Sequence, residues 1–464
     1  MGNKTNAPTT ISIPKLREDF QDRVIAPGDA DYDKARTVFY GGVDRHPAAI
    51  IRVVDANDAS RVIHLARESG LELAVRSGGH SGAGHSVTEG GIVIDLSNMK
   101  DLQIDLKSRT AWAETGLTAG ELTNAAARHG LAIGFGDTGS VGIGGITLGG
   151  GVGYLVRKYG LTIDNLLAAE VVTADGQIRH VDDQTHPDLF WAIRGGGGNF
   201  GVATRFKFQL HEVPNVVGGM LILPATPDTI AGFIAASEAA PEELSGIGNV
   251  MSAPPMPFLP QEAHGKLIIM AFLVYAGEAE AGERALAPFR GLATPFADML
   301  KPMPYPEIYP SEEGAEEYHP VAASRTMFVE KIDLDVAKTI MEHLNASTAM
   351  MKVAQLRVLG GAMGRVPADV TAFAHRNSKI MVNIAALYQN PEEKAAHEAW
   401  VADFAAALRQ SDSGAYVNFL GDEGEERVRV AYPGSTWDRL VEVKARYDPD
   451  NLFRLNQNIP VLSK

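Results

Sequence analysis

The 464-residue sequence contains no cysteine. Disulfide bonds, thiolate metal sites, cysteine nucleophiles and cysteinyl links to a cofactor are therefore excluded. No run approaches the roughly 18 consecutive apolar residues that a membrane span needs, and the first residues lack the apolar core of a signal peptide. These absences predict a cytoplasmic protein without a membrane partner.

Basic residues are scarce relative to acidic ones, with 42 Lys and Arg against 57 Asp and Glu and a formal net charge of −15. This balance argues against a nucleic-acid partner, because phosphate backbones attract basic surfaces. The sequence also lacks the GxxxxGK[ST], HExxH and GxSxG motifs, which disfavours phosphoryl transfer on a P-loop, zincin chemistry and a hydrolase nucleophile elbow. No group of histidines and carboxylates has metal-ligand spacing, so no metal is predicted.

Glycine, by contrast, is abundant, and its 48 residues include the clusters Gly78–Gly84, Gly134–Gly153 and Gly195–Gly201. Such clusters indicate tight turns or a ligand that lies against the main chain. In the first cluster, Ser77 and two glycines follow a predicted strand, where converging N–H groups suit an anion such as pyrophosphate. The second cluster contains too many glycines to predict a helix or a stable central strand.

The third cluster has the Gly196-x-Gly198-x-x-Gly201 spacing of the Rossmann dinucleotide fingerprint. That fingerprint requires a strand before the glycines and a helix after them. Here a helix is predicted over Asp188–Ile193 and a strand over Val202–Leu210, which is the reverse order. A Rossmann site is therefore rejected.

Local signals predict an α/β region up to about residue 211. Asp55 and Gly70 bracket one predicted helix, and Thr118 with Glu121 forms a capping box that opens another. Other predicted strands are Leu71–Arg76, Ile92–Leu96, Leu102–Leu106, Thr110–Glu114, Leu166–Thr173 and Gln177–Val181. Glycine thins out after residue 212, and the longer predicted helices Asp333–Met350 and Pro391–Ser411 indicate a second α+β domain. A final helix is predicted over Ser435–Tyr447.

Four motifs occur in a recognisable order: RSGGH, GSVGIGGITLGGGVG, FWAIRGGGGNFGVAT and, near the C-terminus, YDPDNLFRLNQNIP. Over essentially the whole chain, this order resembles the vanillyl-alcohol-oxidase/p-cresol-methylhydroxylase (PCMH) flavoproteins, and more closely their berberine-bridge-enzyme-like branch. The resemblance implies an α+β fold with a PCMH-type FAD-binding domain of two subdomains and a substrate domain whose antiparallel sheet is covered by helices. The expected bounds are 1–211 for the FAD-binding domain, 212–413 for the substrate domain and 414–464 for the C-terminal return.

The same resemblance implies FAD as the cofactor and His80 as the residue linked covalently to it. The family's second link is a cysteine, and Thr138 occupies that place here, so at most one covalent link is expected. A noncovalent role for His80 in a pyrophosphate loop stays open. The other expected cofactor-binding residues are Arg76, Ser77, Gly78, Gly79, Ser81, Gly82, Ser86, Gly139, Val141, Gly142, Gly144, Gly145, Gly149, Gly153, Val202, Asn418, Asn456 and Asn458.

The catalytic candidates are Tyr416, Asn383 and Gln355. The family's catalytic tyrosine base falls on Phe419, which has no ionisable group, and Tyr416 is either a buried strand residue or an active-site phenol. Gln355 and Asn383, with Arg357 and Tyr388, face the flavin if the strands of the substrate domain are placed as predicted.

The expected activity is an FAD-dependent oxidase that transfers a hydride from a small amine, N-heterocycle or alcohol to flavin N5, with O₂ as electron acceptor. A small valine at position 141 fits the family's oxygen-access position. The alternatives are a carbohydrate or secondary-alcohol oxidase, a dehydrogenase with another acceptor, and a flavin-binding protein with little turnover. The sequence leaves the oligomeric state open.

Overall fold

A computed structural model describes residues 11–309 and 319–461. The helices of the described chain are Ile13–Phe20, Tyr32–Arg36, Ala56–Ser69, Ala119–Ala127, Ile143–Leu148, Val156–Tyr159, Pro187–Ile193, Pro227–Ala239, Ala279–Arg290, Leu334–Ala346, Ala362–Arg365, Lys394–Leu408, Glu425–Ala431 and Ser435–Tyr447. None of them is long and apolar enough to cross a bilayer. Together with mainly antiparallel sheets they make the α+β fold that the sequence predicts.

The first sheet has the spatial order Val24–Ile25, Ala49–Arg52, Ile92–Asp95, Leu73–Arg76. The predicted helix between two of these strands is confirmed, because the Asp55 carboxylate accepts the Asp58 N–H at 2.8 Å and Gly70 ends the helix at φ +67°. The helix connects strands Ala49–Arg52 and Leu73–Arg76, which run parallel in the sheet. The first glycine cluster follows the carboxyl end of the second of these strands.

The second sheet is antiparallel, with the order Leu102–Asp105, Thr110–Glu114, Val202–Gln209, Leu166–Val172, Ile178–Val181. The predicted capping box is confirmed, since the Glu121 N–H donates to Thr118 Oγ1 and the Glu121 carboxylate accepts the Thr118 N–H. The strand that follows the third glycine cluster lies in the middle of this sheet and comes after a helix, as predicted. The strand pair His211–Glu212 and Leu131–Ala132 lies apart from it.

The second glycine cluster contains a helix that the sequence analysis excluded. Residues Ile143–Leu148 form six helical residues, and the side chains at both ends are buried in the hydrophobic core that also contains residues of the second sheet. Packing of these two apolar side chains outweighs the low helix propensity of Gly144 and Gly145. The rest of the cluster is turn and extended backbone, as predicted.

The third sheet is large and antiparallel, with the order Ala297–Asp298, Val216–Pro224, Leu267–Tyr275, Leu244–Ser252, Met351–Val358, Ile380–Tyr388, Val321–Val329, and Lys301–Met303 also pairs with its second strand. Helices Pro227–Ala239, Ala279–Arg290, Leu334–Ala346 and Lys394–Leu408 cover one face through a common apolar core. The opposite face is directed at the glycine clusters.

Alternation along the strands decides which side chains reach each face. On Ile380–Tyr388, the side chains of Val382, Ile384 and Ala386 enter the helix-covered core, whereas Asn383 and Leu387 take the other face.

Candidate functional site

A cavity of about 640 Å³ lies between the three glycine clusters and the exposed face of the large sheet. A volume of this size is typical of a site for a small ligand or cofactor. Most residues expected at the cofactor or substrate line it, namely Ser77, Gly78, Gly79, His80, Ser81, Gly82, Ser86, Thr138, Val141, Gly142, Gly144, Gly145, Gln355, Asn383, Asn418 and Asn456.

The first two glycine clusters are in direct backbone contact on one wall of the cavity. A Cβ on Gly78 would overlap the backbone nitrogen of Gly142, and a Cβ on Gly142 would overlap that of Gly78. Ser77 Oγ also links the two clusters by a hydrogen bond, since it accepts the Gly144 N–H at 3.2 Å. The same hydroxyl donates to the Thr115 carbonyl at 2.5 Å. The absence of a side chain at positions 78 and 142 is thus required by contact between the loops, whatever ligand lies beside them.

Gly145 differs from these neighbours. Its Cβ position has no heavy atom within 4 Å, and the residue lines the cavity. A larger side chain there would project into the cavity itself.

His80 is held on the same wall. Its ring stacks on Phe39, with 4.3 Å between ring centroids, and its Nε2 lies 3.2 Å from Ser140 Oγ. Burial lowers the pKa of His80 to about 4. The imidazole is therefore neutral at pH 7, the state in which a ring nitrogen has a lone pair.

The C-terminal tail and the third glycine cluster close another part of the cavity. The Asn199 amide nitrogen donates to the Gly196 and Gln457 carbonyls, and its side-chain oxygen accepts the Ile459 N–H at 3.0 Å. Lys444, fully buried, donates to the Asn199 carbonyl at 2.8 Å. These bonds hold the tail against the glycines.

The large sheet supplies the facing wall. Gln355 and Asn383 lie opposite each other on paired strands. Gln355 Nε2 donates to Asn249 Oδ1 at 3.1 Å, whereas the Asn383 amide has no hydrogen-bond partner within the described chain and its Oδ1 is buried. Tyr388 lies on the other face, in the helix-covered core beside His397, so the expectation that it faces the flavin is wrong.

Tyr416 lies behind the wall rather than on it. Its hydroxyl oxygen accepts the Gly151 N–H at 2.9 Å, the Val152 N–H at 3.3 Å and the Asn418 amide at 2.9 Å. Burial raises its pKa, and these hydrogen bonds oppose that shift only in part. It immediately precedes the 3₁₀ turn Val417–Phe419 and is not in a strand. Phe419, three residues on, does line the cavity.

Several other expected residues also lie outside the cavity lining. Arg76 is buried in an ion pair with Asp95 at 2.8 Å. A Cβ on Gly149 would overlap the Asn418 amide, and one on Gly153 would lie 2.6 Å from the Phe135 carbonyl oxygen. The remaining three are Gly139, Val202 and Asn458. Val202 packs into a hydrophobic core, whereas Asn458 Oδ1 is buried without a hydrogen-bond partner among the described residues.

Asp137 is the main residue that sequence reasoning missed. It lines the cavity immediately before Thr138 and forms an ion pair with Arg357 from the large sheet. Its position directly before the glycine run was the only available signal. Other lining residues that were missed include Phe39, Tyr40, His85, Gly197, Gly198, Asn199, Ser324 and Gln457.

Comparison with known proteins identifies the family. The FAD binding domain family matches residues 47–182, and the family described as berberine and berberine like matches residues 415–460. An FAD-linked oxidoreductase of Dictyostelium discoideum is 32% identical, covering 89% of this chain and 88% of the relative. (R)-6-hydroxynicotine oxidase of Paenarthrobacter nicotinovorans is 31% identical, covering 95% and 96%.

A solved structure gives the same result. The crystal structure of 6-hydroxy-D-nicotine oxidase from Arthrobacter nicotinovorans superposes with a TM-score of 0.84 at 27% identity, covering 95% of this chain and 98% of that one. Sequence and fold therefore agree over nearly the whole length. The chain belongs to the berberine-bridge-enzyme-like FAD-linked oxidoreductases.

Proposed function

We propose that this FAD-linked oxidoreductase is an oxidase that removes a hydride from a small organic amine or N-heterocycle and returns the electrons to O₂. The observation that carries the proposal is a cavity that has glycine backbone on one wall and a sheet face with the unpartnered Asn383 amide on the other. Backbone without side chains suits a large cofactor, and the sheet face suits a substrate presented to it.

The residues present fit FAD. Gly145 leaves the space of a Cβ open to the cavity, and Ser86 Oγ, also on the wall, is buried without a hydrogen-bond partner among the described residues. A buried unpartnered hydroxyl is costly unless a ligand satisfies it. The residues that would hold FAD are therefore Ser77–Ser81, Ser86, Gly142–Gly145, Gly197–Asn199 and Asn456. FAD supplies the hydride acceptor when bound, and the protein orients the substrate and excludes water.

We also propose the domain bounds 1–211, 212–413 and 414–464 as the FAD-binding domain, the substrate domain and the return segment. The large sheet begins at Val216 and its last covering helix ends at Leu408, which supports both divisions.

A covalent bond from His80 to FAD is part of the proposal. The neutral ring, held by Phe39 and Ser140 on the cavity wall, supports it. Acid precipitation is expected to leave yellow flavin in the protein pellet, and a peptide spanning residues 76–88 is expected to carry the flavin mass. Complete extraction of FAD by acid would contradict the covalent bond.

The environment of Tyr416 favours an amine over an alcohol. An alcohol must lose its hydroxyl proton as the hydride departs, which requires a base near the reacting carbon. Tyr416 is hydrogen-bonded behind the wall, and Phe419 has no proton to exchange. The carboxylate on the wall, Asp137, is already engaged by Arg357 and Thr138. A neutral amine needs no such base, because its nitrogen lone pair stabilises the carbon that loses the hydride.

The test is a panel of amines, N-heterocycles, alcohols and sugars, assayed aerobically for hydrogen peroxide and anaerobically for flavin bleaching. We expect at least one amine or N-heterocycle to bleach the flavin and to produce peroxide in air. Bleaching without peroxide would indicate a dehydrogenase with another acceptor. Response to sugars or alcohols alone would favour the carbohydrate or alcohol alternative.

A further inference from the structure

The Asp137 carboxylate is presented to the cavity, and its ion-pair partner is withdrawn from it. The Asp137 side chain is 26% exposed and lines the cavity, whereas Arg357 is 4% exposed and does not line it. Arg357 is held behind the wall, donating to the Val152 carbonyl at 3.0 Å and to Gln355 Oε1 at 2.7 Å. The pair therefore has its negative end toward the cavity.

This carboxylate is fixed in orientation. Thr138 Oγ1 donates to Asp137 Oδ1 at 3.1 Å, while Arg357 Nη2 and, at 3.5 Å, Gln355 Nε2 approach Oδ2. Because donors from two parts of the fold restrain both oxygens, the charge does not have to reorganise when a ligand arrives. Such preorganised charge acts most strongly on charge that develops beside it.

No cation balances Asp137 on the cavity wall. No Lys or Arg side chain belongs to the part of that wall that the structure describes. The two histidines on the wall, His80 and His85, have pKa values lowered to about 4 by burial and are neutral at pH 7. The charged side chain on the described part of the cavity wall is the Asp137 carboxylate, and its partner Arg357 lies behind that wall.

Apolar and aromatic side chains also line the cavity, beside the neutral amides of Gln355 and Asn383. Ala322, Ala385 and Leu387 come from the large sheet, and Phe419 and Phe39 come from the loops around it. An aromatic face favours both an apolar ring and a cation. A ligand with an apolar body and one positively charged nitrogen complements these walls, and an anionic ligand does not.

We propose that Asp137 selects the substrate class by acting as counter-ion to the positive charge that the nitrogen of a neutral amine gains as the amine is oxidised. This inference rests on the proposed function for the reaction it serves. In an amine oxidation, the C–H bond breaks with its electron pair passing to bound FAD, and the nitrogen lone pair forms the C=N bond. The substrate thereby gains one positive charge and loses no proton, and that charge develops opposite Asp137.

The experiment measures charge preference without turnover. Benzamidine, benzamide and benzoate share a phenyl ring and a similar size, and they carry charges of about +1, 0 and −1 at pH 7. None has a hydrogen on the carbon next to the ring that it could lose as hydride. Each is titrated into the FAD-loaded protein, and binding is followed by perturbation of the flavin absorption spectrum. The wild type is expected to bind benzamidine more tightly than benzamide, and benzamide more tightly than benzoate.

Asp137→Asn keeps the side-chain shape and removes the charge. It should reduce the benzamidine-to-benzamide affinity ratio by about tenfold or more, equivalent to ~1.4 kcal/mol. Because this change leaves Arg357 buried without a counter-ion, the double variant Asp137→Asn/Arg357→Gln serves as a second, charge-balanced test and should lose the preference equally. Ser324→Ala, a neutral change on the same wall, should keep the wild-type ratio.

The inference is overturned if wild-type protein binds benzoate as tightly as benzamidine, if none of the three compounds binds, or if both Asp137 variants keep the wild-type ratio. Failure of the proposed function gives a different pattern, in which the charge preference is present but no amine reduces the flavin.

Discussion

Replacing Tyr416 by phenylalanine separates a structural role of its hydroxyl from a catalytic one. The variant keeps the ring but removes the acceptor for the Gly151, Val152 and Asn418 donors. One buried donor left without a partner costs about 1–3 kcal/mol. Two of the three bonds are short at 2.9 Å and the third is longer at 3.3 Å, so we expect a stability loss of about 2–4 kcal/mol. Urea unfolding measures it.

The chemistry should respond much less. Tyr416 Oη is not on the cavity wall, and burial raises its pKa, so the phenol keeps its proton. With an amine substrate, we expect Tyr416→Phe to slow anaerobic flavin reduction by less than about tenfold, against the ~10²–10⁴-fold that loss of a general base costs. Stopped-flow absorption measures the rate.

Tyr432→Phe is the matched control, since its buried hydroxyl makes one hydrogen bond, to the Gly195 carbonyl at 3.2 Å. It should lose only about 0.5–1.5 kcal/mol and keep the reduction rate. A reduction rate more than about a hundredfold slower in Tyr416→Phe with an amine, without the stability loss, would refute the reasoning and identify Tyr416 as the base.

Further variants test the cofactor wall. His80→Ala should still bind FAD, now extractable by acid, and should oxidise substrate more slowly. Gly145→Val should be purified with much less flavin, because its side chain enters the cavity, and normal flavin content would contradict that placement. Lys444→Met should cost about 3–5 kcal/mol by leaving its buried carboxylate partner unpaired and should weaken FAD retention. Stability to urea should fall as the pH drops from 6.5 toward 4, because half-buried His85 and His211 have folded pKa values of about 4 and the unfolded chain takes up the protons first; equal stability at pH 7 and pH 5 would exclude this linkage.

Local signals in the sequence were sufficient for many of the elements around the site. Asp55 and Gly70 bracket a helix as predicted, and Thr118 with Glu121 caps another. Each of these signals acts within a few residues, so no knowledge of the tertiary fold is needed to interpret it. The order of helix, glycines and strand around Gly196–Gly201 was predictable for the same reason.

Long-range geometry could not be obtained in this way. Asp137 and Arg357 are 220 residues apart in sequence, and their contact depends on how the large sheet lies against the second glycine cluster. Tyr388 was misplaced because a strand alternates its faces, and the predicted strand did not specify which face met the cavity. The helix Ile143–Leu148 was missed because burial of its two end residues, rather than local propensity, stabilises it.

In the proposed reaction, this cavity binds FAD and an amine held beside Asp137 is oxidised there. The most direct measurement is anaerobic flavin reduction by an amine and an alcohol of the same carbon skeleton, taken from the active compounds of the panel. The amine is expected to bleach the flavin faster, Asp137→Asn is expected to reduce this advantage, and admission of O₂ is expected to restore the colour. Equal or faster reduction by the alcohol, or purified protein that contains no flavin, would contradict it.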